Sequence, residues 1–166
     1  MPYVSGQPGD AWGAEAAQHG GTGTQRLVEA GEVPASAAVA DALGLDAGEP
    51  VILRRRVMLL DDHPVELVES YYPPALARGT RLAEPRKIRG GAVALLAELG
   101  HQPQRVREDV VARLATAEEQ SELHLDDPAC VLQLSRVLFD QDGVAVEASV
   151  MTMVAEGRRL RYELTP

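Results

Sequence analysis

The chain is poor in the residue types on which most recognisable chemistry depends. One cysteine, Cys130, stands in 166 residues. An intrachain disulfide framework is therefore excluded, and a lone thiol heading Cys130-Val131-Leu132 is expected to be a small buried hydrophobe. Aromatic residues amount to only 4%, so the core has to be built from leucine, valine and alanine. Basic residues are in deficit: 16 Lys and Arg against 25 Asp and Glu give a net charge of −9. That is the wrong sign for a surface that must neutralise nucleic-acid phosphates. No apolar run approaches the roughly 18 residues of a membrane span. Met1 to Gly23 has no hydrophobic stretch of the kind found in signal peptides, so a cytoplasmic protein with no membrane partner is expected. The histidines (His19, His63, His101, His124) fall singly in presumed loops and turns. No metal-ligand spacing results, and no nucleophile elbow, phosphate loop or dinucleotide fingerprint is present. Neither a cofactor nor an enzymatic activity is called for.

What remains is the composition of an ordinary soluble globular domain, 45% hydrophobic and 25% charged, long enough for a proper core. The glycine-rich lead-in, residues 1–23, is expected to be a flexible linker. A strand is expected from Thr24 to Val33. Ser36 is placed to cap a helix over Ala37–Leu43, with Gly44 as its stop. After the hairpin described below, a helical turn is expected at Ala75–Arg78, then the loop Thr80–Gly91, the most basic segment of the chain. A helix of strong formers follows over Ala92–Leu99. Its N-terminus, with Lys87, Arg89 and the Gly90-Gly91 amides, forms an electropositive corner suited to an anion, or else a plain loop. A long strand over Gln104–Leu114, a capping box Thr116-Ala117-Glu118-Glu119, and a hairpin from Cys130 to Ala155 turning at Gln141-Asp142-Gly143 complete the main body. A short strand is expected at Arg158–Leu164.

The central stretch is Val51 to Pro73, in which two β-rich runs flank Asp61-Asp62-His63. Its first strand carries three successive arginines. Alternation along a strand puts Arg54 and Arg56 on one face with Ile52 and Met58, and Arg55 on the other. On the second strand Glu66 and Ser70 share a face, while Glu69 lies opposite with Val65, Leu67 and Tyr71. Guanidinium groups beside a carboxylate and a hydroxyl make either a wall for an anion or sugar, or a solvated, salt-bridged sheet face.

The two halves of the chain share a pattern. Leu43-Gly44-Leu45-Asp46 and Leu123-His124-Leu125-Asp126 each end a short helix and lead through a proline into a strand. Arg56 aligns with Arg136, Val57 with Val137, and Asp62 with Asp142; a one-residue slip at the turn then aligns Glu66 with Glu147. The spacing far exceeds that of solenoid repeats and points to an internally pseudo-symmetric domain, chance similarity between two hairpins being the alternative. Arg136 lies on a face with Leu132, Leu134 and Leu138, where an unpaired charge is costly. Two roles are open to it: an ion pair with Glu147, or a pocket contact.

Taken in order, Leu43-Gly44-Leu45-Asp46-Ala47-Gly48-Glu49-Pro50-Val51, Arg54-Arg55-Arg56-Val57, Pro64-Val65-Glu66-Leu67 and Ser70-Tyr71-Tyr72-Pro73 resemble the UTRA domain. That is the effector-binding domain of GntR-superfamily transcription regulators of the HutC type. Thr116-Ala117-Glu118-Glu119, Leu123-His124-Leu125, Asp142-Gly143 with Val146-Glu147-Ala148-Ser149, and the segment from Ala83 to Ala92 extend the similarity over roughly Thr24 to Leu164. The resemblance implies an α+β fold like that of chorismate lyase, a six-stranded antiparallel sheet with flanking short helices. It implies a homodimer and a pocket for a small-molecule effector, often a phosphorylated sugar or another anion. Residues 1–23 then become an interdomain linker and 24–166 the effector-binding domain. DNA is engaged only through a separate N-terminal winged helix-turn-helix domain, absent from this chain. In members of the family, arginines matching Arg54 and Arg56 contact the anionic group, and an acidic residue matching Glu66 binds hydroxyls. The loop holding Arg89 and Gly90 closes over the site, although this chain has Gly90, Gly91 and Ala92 where a serine and a tyrosine are commoner. With Ser70, Arg136 and Glu147 these are the expected effector-binding residues. A chorismate lyase-like enzyme acting on a small aromatic acid is the alternative on the same fold; it requires a general acid for which no residue stands out.

Overall fold

The computed structural model describes residues 11–161. Six strands, β1 (Gly23–Pro34), β2 (Pro50–Leu60), β3 (His63–Tyr72), β4 (Arg105–Leu114), β5 (Cys130–Phe139) and β6 (Ala145–Val154), form one antiparallel sheet in the order β1-β2-β3-β6-β5-β4. Short helices flank it: α1 (Ala11–Gln18), α2 (Ala37–Leu43), α3 (Pro74–Ala77), α4 (Gly91–Glu98) and α5 (Ala117–Leu123). This is the six-stranded α+β architecture expected from the sequence.

Local chemistry sets the element ends. The Ser36 hydroxyl accepts from Val39 N at 3.3 Å, and Gly44 closes α2 at φ 69°, a left-handed position that glycine adopts without a Cβ clash. Thr116 and Glu119 form the reciprocal capping box of α5. Asp61 and Asp62, at φ 49° and 64°, make the β2–β3 turn of the primed kind whose twist matches antiparallel strands. The Asp61 carboxylate also accepts from Thr22 N at 2.8 Å, tying the start of β1 to the turn.

Strand registers support the internal repeat. In β2–β3, Arg56 lies opposite Val68 and Met58 opposite Glu66; in β5–β6, Arg136 lies opposite Ser149 and Leu138 opposite Glu147. Superimposing Arg56 on Arg136 therefore carries Glu66 onto Glu147. The pseudo-twofold passes between the central strands β3 and β6 at the Glu69–Val150 pair, next to the pair of Ser70 and Ser149. The helices are exchanged across it: α2 of the first half packs on β6, and α5 of the second half packs on β3.

The sheet has two unlike faces. Beneath α2, the cluster of Val39, Ala40, Leu43, Val51, Val137, Phe139 and Ala148 is purely apolar. Its valine, leucine and phenylalanine side chains contribute about 1.5–3 kcal/mol each when fully buried. On the other face, α3, α4 and the loop between them cover one end through Tyr72, Leu82, Ile88, Leu95, Leu96 and Leu138. At the far end of that face α1 covers Met58 and Val68 with Trp12. Between these two apolar caps lies a band of charged and hydroxyl side chains.

Three expectations are corrected. Residues 11–23 are not linker: α1 runs from Ala11 and β1 starts at Gly23. Trp12 and Ala16, one helical turn apart, are buried on the sheet, and Trp12 Nε1 donates to Leu59 O at 2.9 Å. The remainder of the expected linker, residues 1–10, lies outside the described residues. Cys130 is exposed, because it is the first residue of β5 and pairs with Leu114 at the open end of edge strand β4. Residues 158–161 form no strand. Arg158 instead turns back to β3, 3.6 Å from the Glu66 carboxylate; residues 162–164 lie outside the described residues.

Candidate anion-binding site

The polar band sits on the face that the alternation of β2 assigns to Arg54 and Arg56. Registers bring Ser70 opposite Arg54 on β3, then Ser149 on β6, then Arg136 on β5 and Glu108 on β4. One row of cross-strand neighbours thus traverses the sheet, and Glu66 and Glu147 lie just outside it.

The two expected ligand arginines have different surroundings. Arg54 is buried (3% exposed). Its Nη1 donates to the carbonyls of Leu82 and Glu84 at 3.0 and 2.7 Å and to that of Arg81 at 3.5 Å, while Nη2 donates to that of Arg86 at 2.7 Å. Among the described residues no carboxylate is hydrogen-bonded to it, and burial holds its pKa below the ordinary arginine value. Arg54 therefore shapes the loop ahead of α4 while it also borders the cavity described below.

Arg56 is the less satisfied group. Nη2 donates to the Ser70 hydroxyl at 3.1 Å, whereas Nε is buried without a hydrogen-bond partner among the described residues. The Ser70 and Ser149 hydroxyls bond each other at 2.9 Å, and Ser149 donates to Glu147 at 2.8 Å. Since the Ser149 proton goes to Glu147, the Ser70 proton goes to Ser149. A relay thus runs from Arg56 through two hydroxyls to the buried Glu147. The Tyr72 hydroxyl, completely buried, approaches Ser70 and Glu147 but completes no well-formed hydrogen bond among the described residues. Burial, reinforced by Glu147, holds its pKa well above the usual tyrosine value, so it stays a neutral donor.

Arg136 has a direct partner, and it is not Glu147. Its Nε donates to Glu108 at 2.7 Å, with both side chains largely buried (12% and 8% exposed). Glu147 lies opposite Leu138, two pairs farther along, so β4 rather than β6 supplies the carboxylate. Glu66 is mostly buried, and its carboxyl is raised above the ordinary 4.5, first by burial; Arg158 acts in the opposite sense. On the reverse face Arg55 is bound to Glu69 at 2.8 Å, with the Tyr71 hydroxyl donating to the same carboxylate at 2.9 Å. That is a structural pair.

A cavity of about 60 Å³ opens beside Arg56, lined by Gln25, Leu27, Arg54, Arg56, Lys87, Ile88, Gly91 and Ala92. Two arginines, a lysine and the N-terminus of α4 face one small space, an arrangement that favours a negative charge. Of the expected loop residues, Arg89 is exposed and Gly90 caps α4 at φ 81°; neither lines the cavity. Lys87 and Gly91 do. Gln25, Leu27, Tyr72, Ser149 and Glu108 escaped the sequence reading. For Leu27 the cause is a bulge at Val28, after which β1 changes phase.

Comparisons with known proteins agree with this architecture. The family model of the UTRA domain matches residues 18–157. An uncharacterised HTH-type transcriptional regulator of Streptomyces coelicolor is 36% identical over 121 residues, covering 71% of this chain and 45% of the relative. Another, from Rhizobium meliloti, is 37% identical over 142 residues, covering 85% of this chain and 57% of the relative. This chain thus spans about half the length of the curated relatives it matches. Among solved structures, the effector domain of PhnF from Mycobacterium smegmatis superposes with a TM-score of 0.79 at 25% identity, over 96% of this chain and 99% of that one. With a six-stranded sheet of this topology and a family match over most of its length, the chain belongs to the UTRA domain family.

Proposed function

We propose that this chain is the ligand-sensing and dimerising domain of a GntR-superfamily, HutC-type transcription regulator acting in the cytoplasm. A small anionic metabolite enters the cavity at Arg56, and its binding alters how a separate N-terminal winged helix-turn-helix domain engages DNA. The observation that carries this reading is the state of Arg56: a guanidinium with a buried, unbonded Nε, bordering a cavity shared with Arg54 and Lys87. A buried donor without a partner costs about 1–3 kcal/mol, which an incoming acceptor recovers. Glu66, Ser70 and Glu147 supply acceptors for hydroxyls on the rest of the ligand, while Arg54 and Arg136 hold the frame. Coupling to the DNA-binding domain follows as a population shift, the ligand favouring the dimer arrangement that it binds better. The relatives are named as regulators, and nothing favours the lyase alternative.

A thermal-shift screen with sugar phosphates, amino acids and aromatic acids tests the proposal. At least one anionic class raises the melting temperature of the wild-type chain, Arg56→Ala abolishes that rise, and Arg89→Ala retains it. A screen in which no anion raises the melting point, or an Arg56→Ala chain that responds like the wild type, overturns it. Sedimentation of the chain decides the homodimer.

A further inference from the structure

The two halves of the sheet carry the same arginine in opposite states, and the difference traces to one residue. Arg136 on β5 faces Glu108 directly across the β4–β5 ladder, and its Nε is bonded to that carboxylate at 2.7 Å. Arg56 on β2 is its counterpart under the pseudo-twofold. The residue directly across from Arg56 in the β1–β2 ladder is Leu27. Directly opposed side chains on one face lie about 5 Å apart, so Leu27 occupies the place from which a glutamate would neutralise Arg56. Correspondingly, the Nε that Glu108 satisfies in the second half is left without a partner in the first. The cavity opens at this spot, with both Leu27 and Arg56 in its lining. The bulge at Val28, between Leu27 and Glu29, has no equivalent in β4, whose register with β5 is unbroken.

We infer that Leu27 is the specificity-determining residue that denies Arg56 an internal carboxylate, and that an acidic group of the ligand does for Arg56 what Glu108 does for Arg136. This inference rests on the sensing function proposed above for the same cavity. The second half is a site closed by its own side chain; the first is the same site left open. The ligand therefore presents an oxyanion at its β1-facing end and meets an apolar contact from Leu27 beside it.

The test compares Leu27→Glu with Leu27→Gln, which differ only in charge. Leu27→Glu melts about 3 °C above Leu27→Gln at neutral pH, and the difference disappears when both are combined with Arg56→Met. Inorganic phosphate, compared with chloride at equal ionic strength, raises the melting point of the wild type and of Leu27→Gln but not of Leu27→Glu. A Leu27→Glu chain that melts at or below Leu27→Gln, or that keeps the phosphate response, overturns the inference. Should neither Leu27 variant fold, Glu108→Gln decides: it loses stability and regains part of it in phosphate, and no regain counts against the inference. If Leu27→Glu exceeds Leu27→Gln while wild type ignores phosphate and the anions of the screen, the pairing logic stands and the anion-sensing reading fails.

Discussion

Arg54 and Arg56 lie two residues apart on one strand and carry different tasks, because one guanidinium is enclosed by carbonyls and the other is not. Alternation placed both on the correct face, yet nothing in the spacing indicated that the backbone of Arg81 to Arg86 would wrap around the first. Such contacts come from a loop whose path is set only after the sheet has formed. Replacing Arg54 by Met leaves the Leu82, Glu84 and Arg86 carbonyls without their charged donor. A loss of about 3 kcal/mol is expected in urea unfolding, with hydrogen exchange accelerating in the loop before α4. Glu66 yields a pH prediction. Its folded value is raised above 4.5 by burial, so the folded state binds the proton more tightly than the unfolded state. The resulting stability is present below the unfolded value and is lost as pH rises through the folded one. Stability measured against Glu66→Gln should therefore decline from pH 4.5 towards neutrality; a flat difference, or one rising with pH, contradicts the shift. Of the two roles open to Arg136, the ion pair is the one found, but with Glu108 in place of Glu147. Glu147 and Glu108 both lie on strands beside β5, and only the observed register brings Glu108 opposite the arginine.

Among the elements, α2, α5 and both hairpins were legible because their ends carry their own chemistry. The α5 cap is the clearest. Glu119 receives two bonds from Arg113 at 2.7 Å and one from Thr116 N at 2.8 Å, and Arg113 holds its pKa at about 2. A depressed value means stability that is present above the unfolded 4.5 and lost as pH falls towards 2. Glu119→Gln removes that part of the acid limb in unfolding titrations, and Thr116→Ala costs about 1 kcal/mol at neutral pH. In the β2–β3 turn, Asp62 holds a left-handed conformation that costs a non-glycine residue about 1 kcal/mol. Asp62→Gly should gain roughly 0.5 kcal/mol after the added unfolded-state entropy, while Asp61, bonded to Thr22 N, is left in place. Helix α1 was hidden by composition: Gly13 interrupts it and glycines follow it, so only Trp12 and Ala16 mark the buried stripe, too few positions to establish a period.

Over the whole molecule, the repeat was readable and its symmetry-breaking was not. Alignment of Arg56 with Arg136 and of Glu66 with Glu147 survives in the registers. The change from Glu108 to Leu27 stayed concealed, because the Val28 bulge shifts β1 against β2 and breaks simple alternation. A net charge of −9 disfavours contact with a phosphate backbone, and the expected outcome of a mobility-shift assay with this chain at physiological salt is no retarded DNA.

The docking of α1 has a practical consequence. Trp12 is the only tryptophan in the chain, is 7% exposed, and touches the same sheet face as the polar band. Its indole donates to Leu59 O while packing on Met58 and Val68, one neighbour away from Arg56 along β2. The molecule therefore carries its single tryptophan at the far edge of the cavity face, where selective excitation of the indole separates it from the tyrosines. Its emission maximum reads the position of α1: blue while the indole is seated, moving to the red once water reaches the ring. Titrated with a binding anion, that one band would report through light whether filling the cavity also moves the segment through which the chain leads into β1.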